Sequence, residues 1–205
     1  YRGYMKKFPF SLDCELSWAE PNPPDERWDA LRSDSSYGRD IYQKILDIFE
    51  KHNIPATWAF VGHLFLNECT PESHCVNDRI KSFDPYSNRA DSPLYYGDDL
   101  VAMVRDNEIN HEIAGHSFSH TPFTELTAAE ARDDLETLVD VAERNGYELR
   151  SFVFPKNRIA HTELLAEYGF HVYRGQLQAS GHTYTSGVRA LLTNPRQFLN
   201  CPPTT

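Results

Sequence analysis

Residues 8–16, FPFSLDCEL, alternate apolar and polar positions and stop at charge, which predicts a strand ending in acidic side chains. Residues 17–37 are polar and hold Pro21, Pro23 and Pro24, so they read as a loop. Over 38–52, GRDIYQKILDIFEKH, the residues Ile41, Ile45, Ile48 and Phe49 recur at helical spacing, and Asn53-Ile54-Pro55 closes that helix. ATWAFV at 56–61 reads as a second, buried strand. Residues 67–95, rich in Pro, Ser, Asn and Asp, read as a long loop, and 97–107 resume a helix through Leu100, Val101 and Val104. HEIAG at 111–115 predicts a short strand with a Gly turn. The clearest helix is 127–145, with Thr127 and Glu130 spaced as a capping box, Leu135, Leu138, Val139 and Ala142 as its stripe, and Gly146 as its stop. SFVFP at 151–155, HTELLAEYG at 161–169 and FHVYRG at 170–175 predict strand, helix and strand, and beyond 176 only an apolar patch at 188–192 stands out.

Strands alternate with helices, which implies parallel βα units in a barrel or an open doubly wound sheet, with six or seven strands visible. A chain of 205 residues suits one domain with a sizeable core. The net charge of −10 argues against nucleic-acid binding and against docking on anionic lipid. No run of about 18 apolar residues predicts a membrane span, and the first residues lack the apolar segment of a signal peptide, so a cytoplasmic location is the expectation. The four cysteines, Cys14, Cys69, Cys75 and Cys201, form no CxxC pair; Cys69 and Cys75 could bridge within a loop, and free thiols are the simpler reading.

HSFSH at 116–120 is the strongest local feature: on a helix, His116 and His120 would share one face and could reach one metal ion. The pair follows a strand and Gly115, where α/β proteins gather their sites. Asp13 and Glu15 project to one side of an extended chain at the end of the first strand, so one could complete a His-His-carboxylate set and the other could act as a base. His63 in VGHLF and His111 read as loop buttresses. Trp18, Trp28, Tyr95 and Tyr96 are rings that could line a sugar groove, and Trp58 reads as core.

Taken in order, FSLDCELSW, HEIAGHSFSH and SFVFPKN resemble the polysaccharide deacetylase family, also called the NodB-homology or carbohydrate esterase 4 domain, over roughly residues 8–175. The resemblance implies an α/β fold, a distorted (β/α) barrel of about seven strands, and one catalytic domain over 1–205, with the C-terminal part of that domain open to being absent. It implies a zinc or other divalent metal held by His116, His120 and an acid. The family's first motif usually holds two adjacent acids; here Cys14 takes the second slot, and the D-x-E variant fits, with Asp13 as base and Glu15 as ligand, or the two exchanged. The third motif commonly reads R-x-P-[FY]. The chain has Pro155 and Asn157 as candidate substrate contacts beside Trp18, but lacks the Arg that steadies the base; Arg158, Lys156 or Arg174 could replace it. The family's general acid is a histidine at the end of a late apolar strand, and His182 is the candidate although SGHTYTS reads as loop. The expected substrate is an acetylated sugar or glycan. The rival readings are a deformylase or cyclic-amide hydrolase on the same scaffold and a non-catalytic sugar-binding relative.

Overall fold

The computed structural model describes residues 10–19, 35–72, 84–177 and 185–190. The described strands are β1 (Ser11–Cys14), β2 (Thr57–Phe60), β3 (Glu112–Gly115), β4 (Ser151–Val153), β5 (Val172–Leu177) and β6 (Thr185–Ala190). Between them lie α1 (Ser35–His52), α2 (Asp98–Arg105), α3 (Ala128–Arg144) and the single turn α4 (Thr162–Leu165). The sheet order is β1-β2-β3-β4-β5-β6, with β1 to β5 parallel and β6 antiparallel to β5.

Strand order that follows chain order without reversal is barrel winding; a doubly wound sheet would reverse direction at a switch point. Curvature is visible in one contact. The Arg174 guanidinium on β5 binds both carboxylate oxygens of Asp13 on β1, at 2.5 and 2.6 Å. Four strand spacings of about 4.8 Å would hold β1 and β5 some 19 Å apart in a flat sheet, so the sheet must curl to bring these side chains together. The architecture is the expected distorted (β/α) barrel, of which six strands are described.

The register divides the sheet into two faces. Cys14, Phe60, Gly115, Phe152 and Tyr173 are successive partners on the face that packs under the helices. Here Phe123, Phe152, Phe154, Phe170 and Tyr173 meet in tilted or edge-to-face pairs at 5.0–5.7 Å between ring centres. The opposite face carries Asp13, Ala59 and Ala114 in one register row and Val153 and Arg174 in another. Ala59, Ala114 and Val153 form a small buried cluster of their own.

Local patterning explains the helices. On α3, Thr127 accepts the Glu130 N–H while the Glu130 carboxylate accepts the Thr127 N–H, the reciprocal cap expected from the sequence. Its buried stripe is Ala131, Leu135, Leu138, Val141 and Ala142; Val141 takes the place expected for Val139, which is only half-buried. Each fully buried leucine there is worth about 1.5–3 kcal/mol over an exposed one. On α1 the buried face runs through Tyr42, Ile45, Leu46 and Phe49. The expected Ile41 and Ile48 are 38% and 55% exposed, because the helix is rotated so that Tyr42 packs on Trp58 and Phe60. The helix expected over 161–169 is a single turn, Thr162–Leu165, followed by turns to the left-handed Gly169. Strand β6 was hidden in a Thr-Ser-Gly run with no alternation. No helix among the described residues is long and apolar enough to cross a membrane.

Candidate metal centre

The polar groups of the site stand in or after the parallel strands, on the side of their C-terminal ends. Asp13 lies in β1 and Glu15 one residue past it. Because side chains alternate, Asp13 and Glu15 face the barrel interior while Cys14 between them is buried on the helix side. An acid in the Cys14 slot would be buried in the core. Burial pushes the Cys14 thiol up.

His116 follows β3, and its N–H bonds to the Phe60 carbonyl of β2 at 2.8 Å. The segment His116–His120 is not helical, contrary to the expectation from its i,i+4 spacing. Ser117 and His120 adopt left-handed backbone conformations (φ 62° and 55°) and turn the loop back on itself. Both imidazoles nevertheless reach one point: His116 Nε2 and His120 Nε2 each lie 3.0 Å from Glu15 Oε1. A loop can satisfy the spacing that suggests a helix when two residues accept positive φ. Leu16, Lys156 and Asn157 are also left-handed without being glycine, so five such residues sit in the loops around the site. Conformations of this kind cost on the order of 1–3 kcal/mol each and persist only where surroundings enforce them.

The enforcing element is Asp134 on α3, which the sequence reading passed over. Its carboxylate accepts the Phe118 N–H at 2.8 Å, the Ser119 N–H at 3.1 Å and the Ser119 hydroxyl at 2.5 Å. Burial pushes this carboxyl above its usual range against the pull of those donors. The signal was present, since an acid between Ala131 and Leu138 on the buried stripe needs partners.

A second brace is the turn Gly62–Phe65, whose Gly62 and His63 N–H groups bond to the Ser117 and Phe118 carbonyls at 2.7 and 3.3 Å. A Cβ on Gly62 would lie 2.8 Å from Leu138 Cδ1 and 2.9 Å from Phe118 Cα. Gly62→Ala is therefore expected to destabilise the fold by about 1–3 kcal/mol, read as a lower denaturant midpoint at unchanged slope.

The donor chemistry fits a divalent cation. His116 Nδ1 lies 2.8 Å from the Val153 carbonyl, which can only accept, so Nδ1 carries a proton and Nε2 is left with its lone pair directed at a carboxylate. Two acceptors facing each other at 3.0 Å require a cation between them or a second proton on the ring. Burial pushes the Glu15 carboxyl up, and the two imidazoles outweigh it, holding the group well below the usual carboxylate range. Glu15, His116 and His120 form a set of three donors within 4.8 Å of one another, the nitrogen and oxygen composition of a catalytic zinc site with open positions.

Asp13 stands apart from this trio in a bidentate pair with Arg174, and Arg174 Nη2 also donates to Asn157 Oδ1 at 3.2 Å. Of the three cations that could replace the missing arginine, Arg174 is the one that reaches Asp13. Arg158 pairs with Glu125, and Lys156 is exposed. The R-x-P pattern counted back from Pro155 puts the arginine slot at Val153, and Val153 is the register partner of Arg174 on the adjacent strand. A positive charge on the strand next to that slot thus reaches the Asp13 carboxylate.

Other expected site residues are placed differently. Trp18 is 1% exposed, with its indole N–H on the Tyr95 carbonyl at 3.0 Å and its ring 4.4 Å from His63. It is a core residue and not a groove wall, because its turn folds inward after Glu15. Tyr96 is likewise fully buried. Pro155 is buried at the start of a turn and shapes the loop without offering its ring to solvent. Trp28, Cys75 and His182 lie outside the described residues. Cys69 is a free thiol.

The fold can be set beside known proteins. Solved structures similar to this chain include a carbohydrate esterase 4 pseudoenzyme from Bacillus anthracis (15% identity, 79% of this chain, 40% of that one, TM-score 0.45). They also include the peptidoglycan deacetylase PdaC from Bacillus subtilis (16%, 79%, 55%, 0.43) and the Streptococcus pyogenes deacetylase PplD in complex with acetate (10%, 82%, 55%, 0.48). The chain spans between two fifths and somewhat over half the length of these proteins. A search of curated protein sequences finds no match. The family model described as polysaccharide deacetylase matches residues 22–173, a stretch that begins after Asp13 and Glu15 and ends one residue before Arg174. With well over half of its residues matched, the chain belongs to the polysaccharide deacetylase family.

Proposed function

We propose that this protein is a metal-dependent hydrolase that removes N-acetyl or related acyl groups from a sugar or polysaccharide. The observation that carries the reading is the convergence of Glu15, His116 and His120 on one point, with Asp13 bound by Arg174 beside it. Glu15, His116 and His120 would hold zinc or another divalent ion. Such an ion, when bound, supplies Lewis acidity toward a carbonyl oxygen and lowers the pKa of water toward neutrality. Asp13 is assigned as the general base, taking a proton from the attacking water. Arg174 and Asn157 fix the direction of that carboxylate, since a two-point guanidinium contact removes its rotational freedom. Asp134 and Gly62 hold the His116–His120 loop in its left-handed geometry. His182 remains the candidate acid for the departing amine.

The reading is tested with the zinc-loaded chain and an N-acetylglucosamine oligomer, measuring acetate release. Release that stops on chelation and returns with added zinc is the expected result. Zinc-loaded protein that frees no acetate from a panel of N-acetylated sugars would instead favour a sugar-binding relative.

A further inference from the structure

A second group of metal-ligating side chains lies behind the first. His63, in the turn after β2, and Cys69 and Asp84, in the connection to α2, are all buried, and their donor atoms lie within 4.8 Å of one another. His63 Nε2 is 3.0 Å from Asp84 Oδ2 and 3.5 Å from Cys69 Sγ. Cys69 Sγ is 3.4 and 3.5 Å from the two Asp84 oxygens. Metal bonds of about 2.0–2.3 Å in a tetrahedron set ligand atoms roughly 3.3–3.8 Å apart, so these separations need little adjustment to close on an ion.

The protonation pattern points the same way. His63 Nδ1 lies 3.0 Å from the Tyr95 carbonyl and must carry a proton, so Nε2 meets the Asp84 carboxylate at 3.0 Å across either a cation or a second ring proton. An imidazole whose far nitrogen donates to a backbone carbonyl is the usual arrangement around a ligated histidine. Asp84 Oδ1 accepts the Tyr86 N–H at 2.9 Å, which fixes the carboxylate plane. The Tyr96 oxygen accepts the Ser87 N–H at 2.9 Å and lies 3.2 Å from Cys69 Sγ, which holds the sulfur beside Asp84. Trp18, Tyr96 and Phe118 surround the His63 ring at 4.4, 5.1 and 5.8 Å and keep the cluster dry.

We infer that His63, Cys69 and Asp84 bind a structural zinc ion that staples the connection between β2 and α2 to the back of the deacetylase site. The nitrogen, sulfur and oxygen donors suit zinc over the hard cations. Full burial suits a structural site over a catalytic one, and Asp84 brings a second oxygen toward fourfold coordination. Sequence reading gave His63 a buttressing role; here it buttresses through an ion. The site touches both ligand-bearing segments of the first centre: Trp18 follows Glu15, and Phe118 lies between His116 and His120.

Elemental analysis of the zinc-loaded chain after exhaustive dialysis is expected to give two zinc ions per chain. Cys69→Ser and Asp84→Asn should each give one, and so should His116→Ala with His120→Ala. The double histidine variant also isolates the second site: X-ray absorption on its zinc should show a sulfur neighbour at about 2.3 Å, and its cobalt form a thiolate-to-metal charge-transfer band that Cys69→Ser removes. Zinc in that variant without a sulfur neighbour, or no retained zinc at all, overturns the inference. These readouts need no catalysis, and if Cys69→Ser does not fold, the absorption measurement alone decides.

Discussion

Asp13→Asn is expected to lower turnover by about 10²–10⁴-fold, the range that positioned acid–base groups contribute, while leaving the metal content unchanged. The dissociation of the two readouts follows from geometry. Asp13 takes no part in the Glu15, His116 and His120 trio, and its carboxylate is engaged by Arg174. An amide of the same shape keeps the packing and one acceptor oxygen but cannot take a proton from water. Arg174→Lys should show a milder form of the same defect, because an ammonium group cannot reproduce the two parallel bonds of the guanidinium. Steady-state acetate release with parallel metal analysis checks both variants. Loss of metal along with activity in Asp13→Asn would place Asp13 among the ligands and exchange the two roles.

The second large effect concerns the ligands themselves. Glu15→Gln or His116→Ala should lower metal affinity by more than the 10–100-fold that loss of an outer partner costs, and acetate release at limiting zinc should vanish. In Glu15→Gln the anion is removed where two imidazole nitrogens converge at 3.0 Å, leaving neutral donors alone. Titration with a competing chelator gives the affinity directly, and added zinc in excess should restore part of the activity in Glu15→Gln. Unaltered affinity in His116→Ala would remove that residue from the site.

Much of the fold could be read locally, because the signals were local. The Thr127–Glu130 cap, the α2 stripe of Leu100, Val101 and Val104, and the parallel strands through residue 175 depend on residues a few positions apart. Errors arose where rotation or distance decides. Tyr42 and Leu46 displaced Ile41 and Ile48 from the α1 core face because a tyrosine can also fill an aromatic contact. The histidine pair was found through the right spacing and the wrong conformation, since the loop owes its shape to Asp134 and Gly62, neither of which is visible from five residues of sequence. Arg174 stood among three candidates because its link to Asp13 spans 161 positions and depends on how far the sheet curls. Asp134 was passed over because an acid on a helix ordinarily faces water.

The Arg174–Asp13 contact also orders events in time. During synthesis the last of the proposed ligands, His120, emerges 54 residues before Arg174 (174 − 120). At about 5–20 residues per second, that is an interval of roughly 3–11 s. Within it Asp134 and Val153 emerge and can brace the histidine loop, while Asp13 still has no guanidinium to aim it. The proposed base is thus aimed only once β5 docks, and a chain halted in between would leave Asp13 without its guanidinium.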